Sequence, residues 1–269
     1  MAECAHFIEG PVCCSEEMLQ KMWQFLKDRT GNSIQSPDKI VRALAKHLNV
    51  NSELDILNHP EFKARVSGTE QEKYRRFLPE GPKFSTGLVN SLNIDQTLNQ
   101  LGIKYHPRHK KRMRFYPMKY QMIDFKEQHT ELSRVSLHKL HKSGYNCMGV
   151  ILNTDVSSGP GIHWFCLFWD ATQTPWKIEY FNSSGNRPMF QVHDWIVSSI
   201  AICRKQGYEC EMKVCTPYQI QWDDHSCGVY CLAYIYCRLM GKSWKWFLTT
   251  KGNDDEMIKF RRKLFRQDT

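Results

Sequence analysis

The stretch Gln221-Trp222-Asp223-Asp224-His225-Ser226-Cys227-Gly228 places a thiol at the mouth of an apolar run, 229–239, long enough for a helix. Ser226 is suited to cap that helix, which leaves Cys227 in its first turn. Unpaired amide N–H groups and the positive end of the helix dipole favour an anion there, so the thiol is expected to ionise readily. Gly228 has no side chain to keep a substrate backbone away. A thiolate nucleophile also needs a base nearby, and an imidazole base needs a third group to hold its tautomer and orientation. The chain offers His163 as base and Asn182 as orienting group. Gln221, six residues before the cysteine, can donate its amide to a developing oxyanion beside the Cys227 N–H. Gln219 is a rival donor at a less suitable spacing, and Glu179 faces the other side of the strand that leads to Asn182. Taken singly, each of these residues has an ordinary structural reading. Four in a consistent order point to acyl transfer.

The elements that must position them follow from periodicity. Residues 147–152, 163–169, 176–181 and 209–215 read as strands, and the second is almost continuously apolar, as a strand buried on both faces should be. Residues 190–205 and 254–265 read as amphipathic helices. His163 then opens one strand, Asn182 ends the next and Cys227 opens a helix, so all three lie at element ends that packing can bring to one sheet edge. Upstream, a short helix from Asn93 is expected to stop at Gly102, and a further helix is expected over 122–140. Strand, strand, strand, helix, strand, helix is an α+β catalytic domain.

The first 84 residues read as helices only. Ser15 precedes Met18, Leu19, Met22, Trp23, Phe25 and Leu26 at helical spacing, with Gly31 as the stop, and Ser36-Pro37-Asp38 begins a second helix. Two prolines and a glycine in residues 79–82 mark the boundary. The expected division is a helical N-terminal arm over 1–84 and a catalytic core over 85–269.

With 269 residues, 41% hydrophobic and 24% charged, the chain has ample material for a core and no disorder signature. Residues 1–20 lack an apolar signal region and no run reaches membrane-spanning length, so neither secretion nor a membrane span is expected. Eleven cysteines without a CxxC pair argue against a zinc site and for mostly buried free thiols in a reducing compartment. No metal or other cofactor is called for. The net charge of +9 is concentrated in segment 104–114, where Lys104, Arg108, Lys110, Lys111, Arg112 and Arg114 meet no acid. That segment suits a solvated loop, or contact with nucleic acid or an acidic protein.

The order His163-Trp164, Asn182 within Ile178-Glu-Tyr-Phe-Asn-Ser183, then Gln221 and Cys227-Gly228 resembles the adenain and SUMO-protease (Ulp-like) clan of cysteine peptidases. The segments 85–98, 152–164 and 255–266 look most like its polyprotein-processing branch from African swine fever virus, so the resemblance runs from about residue 85 to the C-terminus. It implies a central mixed sheet flanked by helices. It further implies His163 as base, Cys227 as nucleophile, Asn182 as orienting residue and Gln221 in the oxyanion hole. Trp164 would wall a cleft that admits only residues as small as glycine. The implied function is processing of viral structural polyproteins at Gly-Gly-type sites, in the host cytoplasm and the virion. Two alternatives stand beside it: a deconjugase of ubiquitin-like modifiers, which also end in Gly-Gly, and a basic binding protein with a decayed site. Many clan members carry an acid where Asn182 stands; a neutral amide orients His163 but stabilises an imidazolium less.

Overall fold

In the computed structural model, the described residues are 4–5, 8, 11–31, 36–82 and 86–266. The chain forms two compact units, Met1–Pro79 and Glu80–Thr269. The junction anticipated between 84 and 85 lies outside the described residues.

The first unit is helical: α1 Glu16–Thr30, α2 Pro37–Leu48, α3 Glu53–Asn58, α4 Pro60–Arg65 and α5 Thr69–Arg76. Ser15 Oγ accepts the Met18 N–H, and Gly31 ends α1 with φ 67°, a left-handed conformation that glycine adopts without strain. Met18, Leu19, Met22, Phe25 and Leu26 form the buried stripe of α1, packed with Ile40 and Leu44 of α2 and Phe62 of α4. Glu53 accepts the Cys13 N–H at 2.8 Å and the Cys14 N–H at 3.0 Å. Cys4 and Cys13 are joined in a disulfide, where free thiols were expected, because the Cys4 segment pairs with Phe77 and returns beside Cys13. The other cysteines are free and buried.

The second unit opens with α6 Ser91–Lys104, then carries β1 Phe115–Pro117, β2 Gln121–Met122, α7 Glu131–Arg134, α8 Leu137–Lys142, β3 Cys147–Asn153, β4 Trp164–Asp170, β5 Trp176–Phe181, α9 Phe190–Lys205, β6 Cys210–Val214, α10 Cys227–Leu239, α11 Trp244–Lys251 and α12 Asp254–Leu264. Its sheet runs β1-β3-β4-β5-β6, with β2 also beside β3. β3, β4 and β5 are antiparallel neighbours, while β1 and β6 pair parallel at the two sides, which makes the sheet mixed. One face packs on α6, α10 and α12 around Tyr230, Tyr234 and Phe181; the other packs on α8 and α9 around Trp169, Trp176 and Trp195. Coverage on both faces is why β3 and β4 are apolar almost throughout.

Four local expectations change. α6 continues through Gly102, which is not a stop but a contact point: a Cβ there would lie 2.3 Å from Pro117 Cγ. Residues 122–140 are not one helix. A turn ends at His129 with φ 49°, and α7 and α8 follow as separate short pieces. β4 begins at Trp164, leaving His163 in the connection, its carbonyl accepting the Thr154 N–H at 2.9 Å. α11 was not anticipated.

α10 is held to the sheet by a buried charge cluster. Arg238 Nε donates to Glu179 Oε2 at 2.7 Å and Nη2 to Asp170 Oδ2 at 2.8 Å, and the Tyr234 hydroxyl donates to Glu179 Oε2 at 2.7 Å. Glu179 is therefore committed to α10 and unavailable to His163. Because Arg238 stands three turns from Cys227 on one helix, this anchor sets the axial position of the thiol.

Candidate active site

His163 and Asn182 come from the adjacent ends of β4 and β5. His163 Nε2 lies 2.7 Å from Asn182 Oδ1. The orientation of the amide follows from its other partners. The backbone N–H of Ser184, which can only donate, points to Oδ1 at 3.1 Å, joined by the Ser184 hydroxyl at 2.8 Å. Nδ2 donates in turn to the Tyr180 hydroxyl at 3.0 Å. Oδ1 is thus the atom facing the imidazole, so Nε2 carries the proton and Nδ1 keeps its lone pair. Asn182 is buried, and its own N–H donates to Thr216 Oγ1 at 2.8 Å. The chain turns at Asn182-Ser-Ser-Gly185, and the Asx bond to Ser184 is what aims the amide.

The Cys227 thiol sits at the first turn of α10. The backbone N–H groups of Trp164, the residue after His163, and of Gly228 favour its ionised form. A Cβ on Gly228 would stand 3.0 Å from Val89 Cβ and 3.3 Å from Trp164 Cδ1; the missing side chain lets α10 pack closely under the indole. The thiol does not ionise as readily as its helix-start position suggested. Burial pushes it up to about 11, the Trp164 and Gly228 N–H groups pull it down, and Cys231 and Asp223 push it up further. Burial likewise holds His163 below the usual histidine value, opposed by its bond to Asn182. Both shifts favour the neutral forms, thiol and imidazole.

Ser226 does not cap α10 with its side chain. Asp223 instead orders the turn ahead of the helix: its Oδ1 accepts the N–H of Ser226 at 2.8 Å and of His225 at 3.1 Å, and its Oδ2 accepts the Ser226 hydroxyl at 2.6 Å. Burial raises the Asp223 carboxyl, but the Ser226 and His225 donors outweigh it, and the group lies below the ordinary carboxylate range. Gln221 is tied to the same hub. Its Nε2 donates to the Asp223 carbonyl at 2.9 Å and to Asp223 Oδ1 at 3.2 Å, while Oε1 accepts from Ser183 Oγ at 2.6 Å. Gln219 donates to the Gln221 carbonyl at 2.7 Å, which makes it a support of this loop. Asp223, four residues before Cys227, is expected from the sequence to raise the thiol, as it does; Ser183 does not stand out there as a site residue.

A cleft of about 530 Å³ opens beside Cys227 and Trp164, lined also by Val89, Asn90, Tyr120 and Ile162. The Trp164 indole N–H donates to the Val89 carbonyl at 3.2 Å, and Tyr120 meets the indole edge-on at 6.1 Å between centroids. The indole is thereby fixed as one wall. The one described group of His, Cys, Asp and Glu with metal-like spacing is Cys4, Cys13 and Glu53, remote in sequence from this chemistry.

No family model matches the chain. It is 31% identical to the cysteine protease S273R of African swine fever virus (isolate Tick/Malawi/Lil 20-1/1983), covering 98% of this chain and 95% of that one. It is equally 31% identical, over the same shares, to the SUMO-1 cysteine protease S273R of isolate Pig/Kenya/KEN-50/1950. The crystal structure of the African swine fever virus pS273R protease superposes with a TM-score of 0.77 at 30% identity, covering 99% of this chain and 96% of that chain.

Proposed function

The chain belongs to the family of S273R cysteine proteases of African swine fever virus, and from that membership we propose that Cys227, His163 and Asn182 are its catalytic triad. The observation that carries the assignment is the fixed tautomer: Asn182 Oδ1 receives the Nε2 proton of His163 and leaves Nδ1 as the base.

The reaction follows from that tautomer. His163 Nδ1 takes the Cys227 proton as the sulfur attacks the carbonyl carbon of the scissile peptide. The carbonyl oxygen becomes an oxyanion that accepts from the Cys227 backbone N–H. Gln221 adds a second donor once its amide turns from Asp223. Collapse breaks the C–N bond, and the Nδ1–H of the imidazolium protonates the leaving amine. Water, deprotonated by His163, then cleaves the thioester, releases a carboxylate and restores the thiol. Because the neutral forms of both groups are favoured, proton transfer accompanies attack.

For substrate, we propose viral structural polyproteins cut after Gly-Gly, during virion maturation in the host cytoplasm and the particle. The Trp164 wall, pinned to Val89 beside Cys227, supports a preference for residues without side chains. Deconjugation of a SUMO-type modifier is the second reading, favoured by the name of one relative, a SUMO-1 cysteine protease. Rates on a Gly-Gly-X peptide and on an intact SUMO conjugate separate the two. The basic segment with Lys110, Lys111 and Arg112 is proposed to meet nucleic acid or an acidic protein. An inert binding protein is opposed by the intact set of reacting groups.

Cys227→Ala is expected to abolish both peptide cleavage and labelling by a Gly-Gly vinyl sulfone, read by mass spectrometry. Cleavage that survives the substitution would refute the assignment.

A further inference from the structure

α12 contributes nothing to the triad, yet two of its side chains, seven residues apart and so on one face, reach the loops on both sides of Cys227. At its first residue, Asp254 Oδ2 accepts the N–H of Trp222 at 3.0 Å and of Asp223 at 3.1 Å. Asp254 Oδ1 lies 2.8 Å from the Tyr230 hydroxyl of α10, which also stands 2.9 Å from the Ile220 carbonyl. Two turns on, Arg261 is 5% exposed. Its Nη1 donates to the Gly87 carbonyl at 2.7 Å and its Nη2 to the His225 carbonyl at 2.9 Å.

Those two carbonyls belong to segments far apart in the sequence, one leading into the cleft and one into the nucleophile. Gly87 leads into Leu88, Val89, Asn90 and Ser91, all of which line the cleft, and Val89 holds the Trp164 indole. His225 is two residues before the nucleophile. A guanidinium can fork across both; an ammonium is a point charge and cannot hold the same pair of directions.

We propose that α12 is a brace for catalysis, with Arg261 as a positioning residue whose fork sets the cleft wall relative to the nucleophile loop. Asp254 holds the opposite end of the same loop. This rests on Cys227 being the nucleophile.

Arg261→Lys and Asp254→Asn test the brace by steady-state kinetics on a Gly-Gly-X peptide. Both are expected to raise KM roughly tenfold with kcat little changed, as expected for lost charge-assisted hydrogen bonds that set the cleft rather than the chemistry. Wild-type KM in both variants would overturn the brace, as would a loss confined to kcat. Wild-type enzyme without Cys227-dependent vinyl sulfone labelling would instead reject the triad on which the brace depends.

Discussion

Asn182 is neutral where a carboxylate would hold an imidazolium more strongly, and that difference sets the pH behaviour expected of the site. Catalysis requires a lone pair on His163 Nδ1, and burial keeps the imidazole below its usual value, so it stays neutral through pH 7. The kcat/KM profile should therefore lose its acid limb only below about pH 6.5. With the thiol pushed up to about 11, no alkaline limb is expected near pH 8 or 9, where a thiolate–imidazolium pair would lose its proton. Asn182→Asp supplies a charge that favours the imidazolium, raises the His163 pKa and moves the acid limb up by about one unit or more. The same profile measured on the variant checks this, and a limb that stays in place would mean that His163 does not sense position 182.

At the scale of elements, α10 is defined by what holds its two ends. Asp223 orders the turn that leads into it, and the Arg238 cluster with Glu179 and Asp170 fixes its register on the sheet. Arg238→Ala would leave two buried carboxylates without their cation, and is expected to cost about 3 kcal/mol, read from denaturant unfolding. A loss within error of zero would mean that packing alone seats the helix. Much of this element is legible in the sequence: the apolar run, its start at Cys227 and the glycine after it are local signals. Local sequence favours Ser226 as the cap because serine is a good capping residue. Ser226 holds the cap position but not the bond: it enters in the right-handed helical region with φ −97° and ψ 0°, and its hydroxyl turns back to Asp223. Gly102 misleads for a similar reason: a stop and a close contact look alike in one dimension, and only the arrival of Pro117 tells them apart.

At the scale of the whole molecule, the positive balance has a definite location. Lys110, Lys111 and Arg112 are exposed after a 3-10 turn at Pro107–His109, with the Lys111 ammonium 5.3 Å from the Tyr105 ring centroid. Replacing all three by serine is expected to weaken binding to a DNA oligonucleotide. It should also reduce the slope of log K against log salt by roughly two to three, because each phosphate that loses its cation keeps its counterion. An unchanged slope would assign the segment to solvent. Among the described residues, no helix is long and apolar enough to cross a membrane.

The sequence by itself determined the α+β class and the helical first unit, because helix period, strand alternation and capping are encoded within a few neighbouring positions. It also carried the order His163, Asn182, Gln221 and Cys227, from which the chemistry could be named. Tertiary structure decided what each group faces. The bond from His163 to Asn182 spans two strand ends, and the Ser184 N–H that aims it appears only once the turn closes. The placement of Gln221 on Asp223, the burial that keeps the Cys227 thiol protonated, and the Arg261 fork between residues 87 and 225 join positions far apart in the chain. Such contacts and desolvation depend on where the chain returns to itself, which no local pattern records.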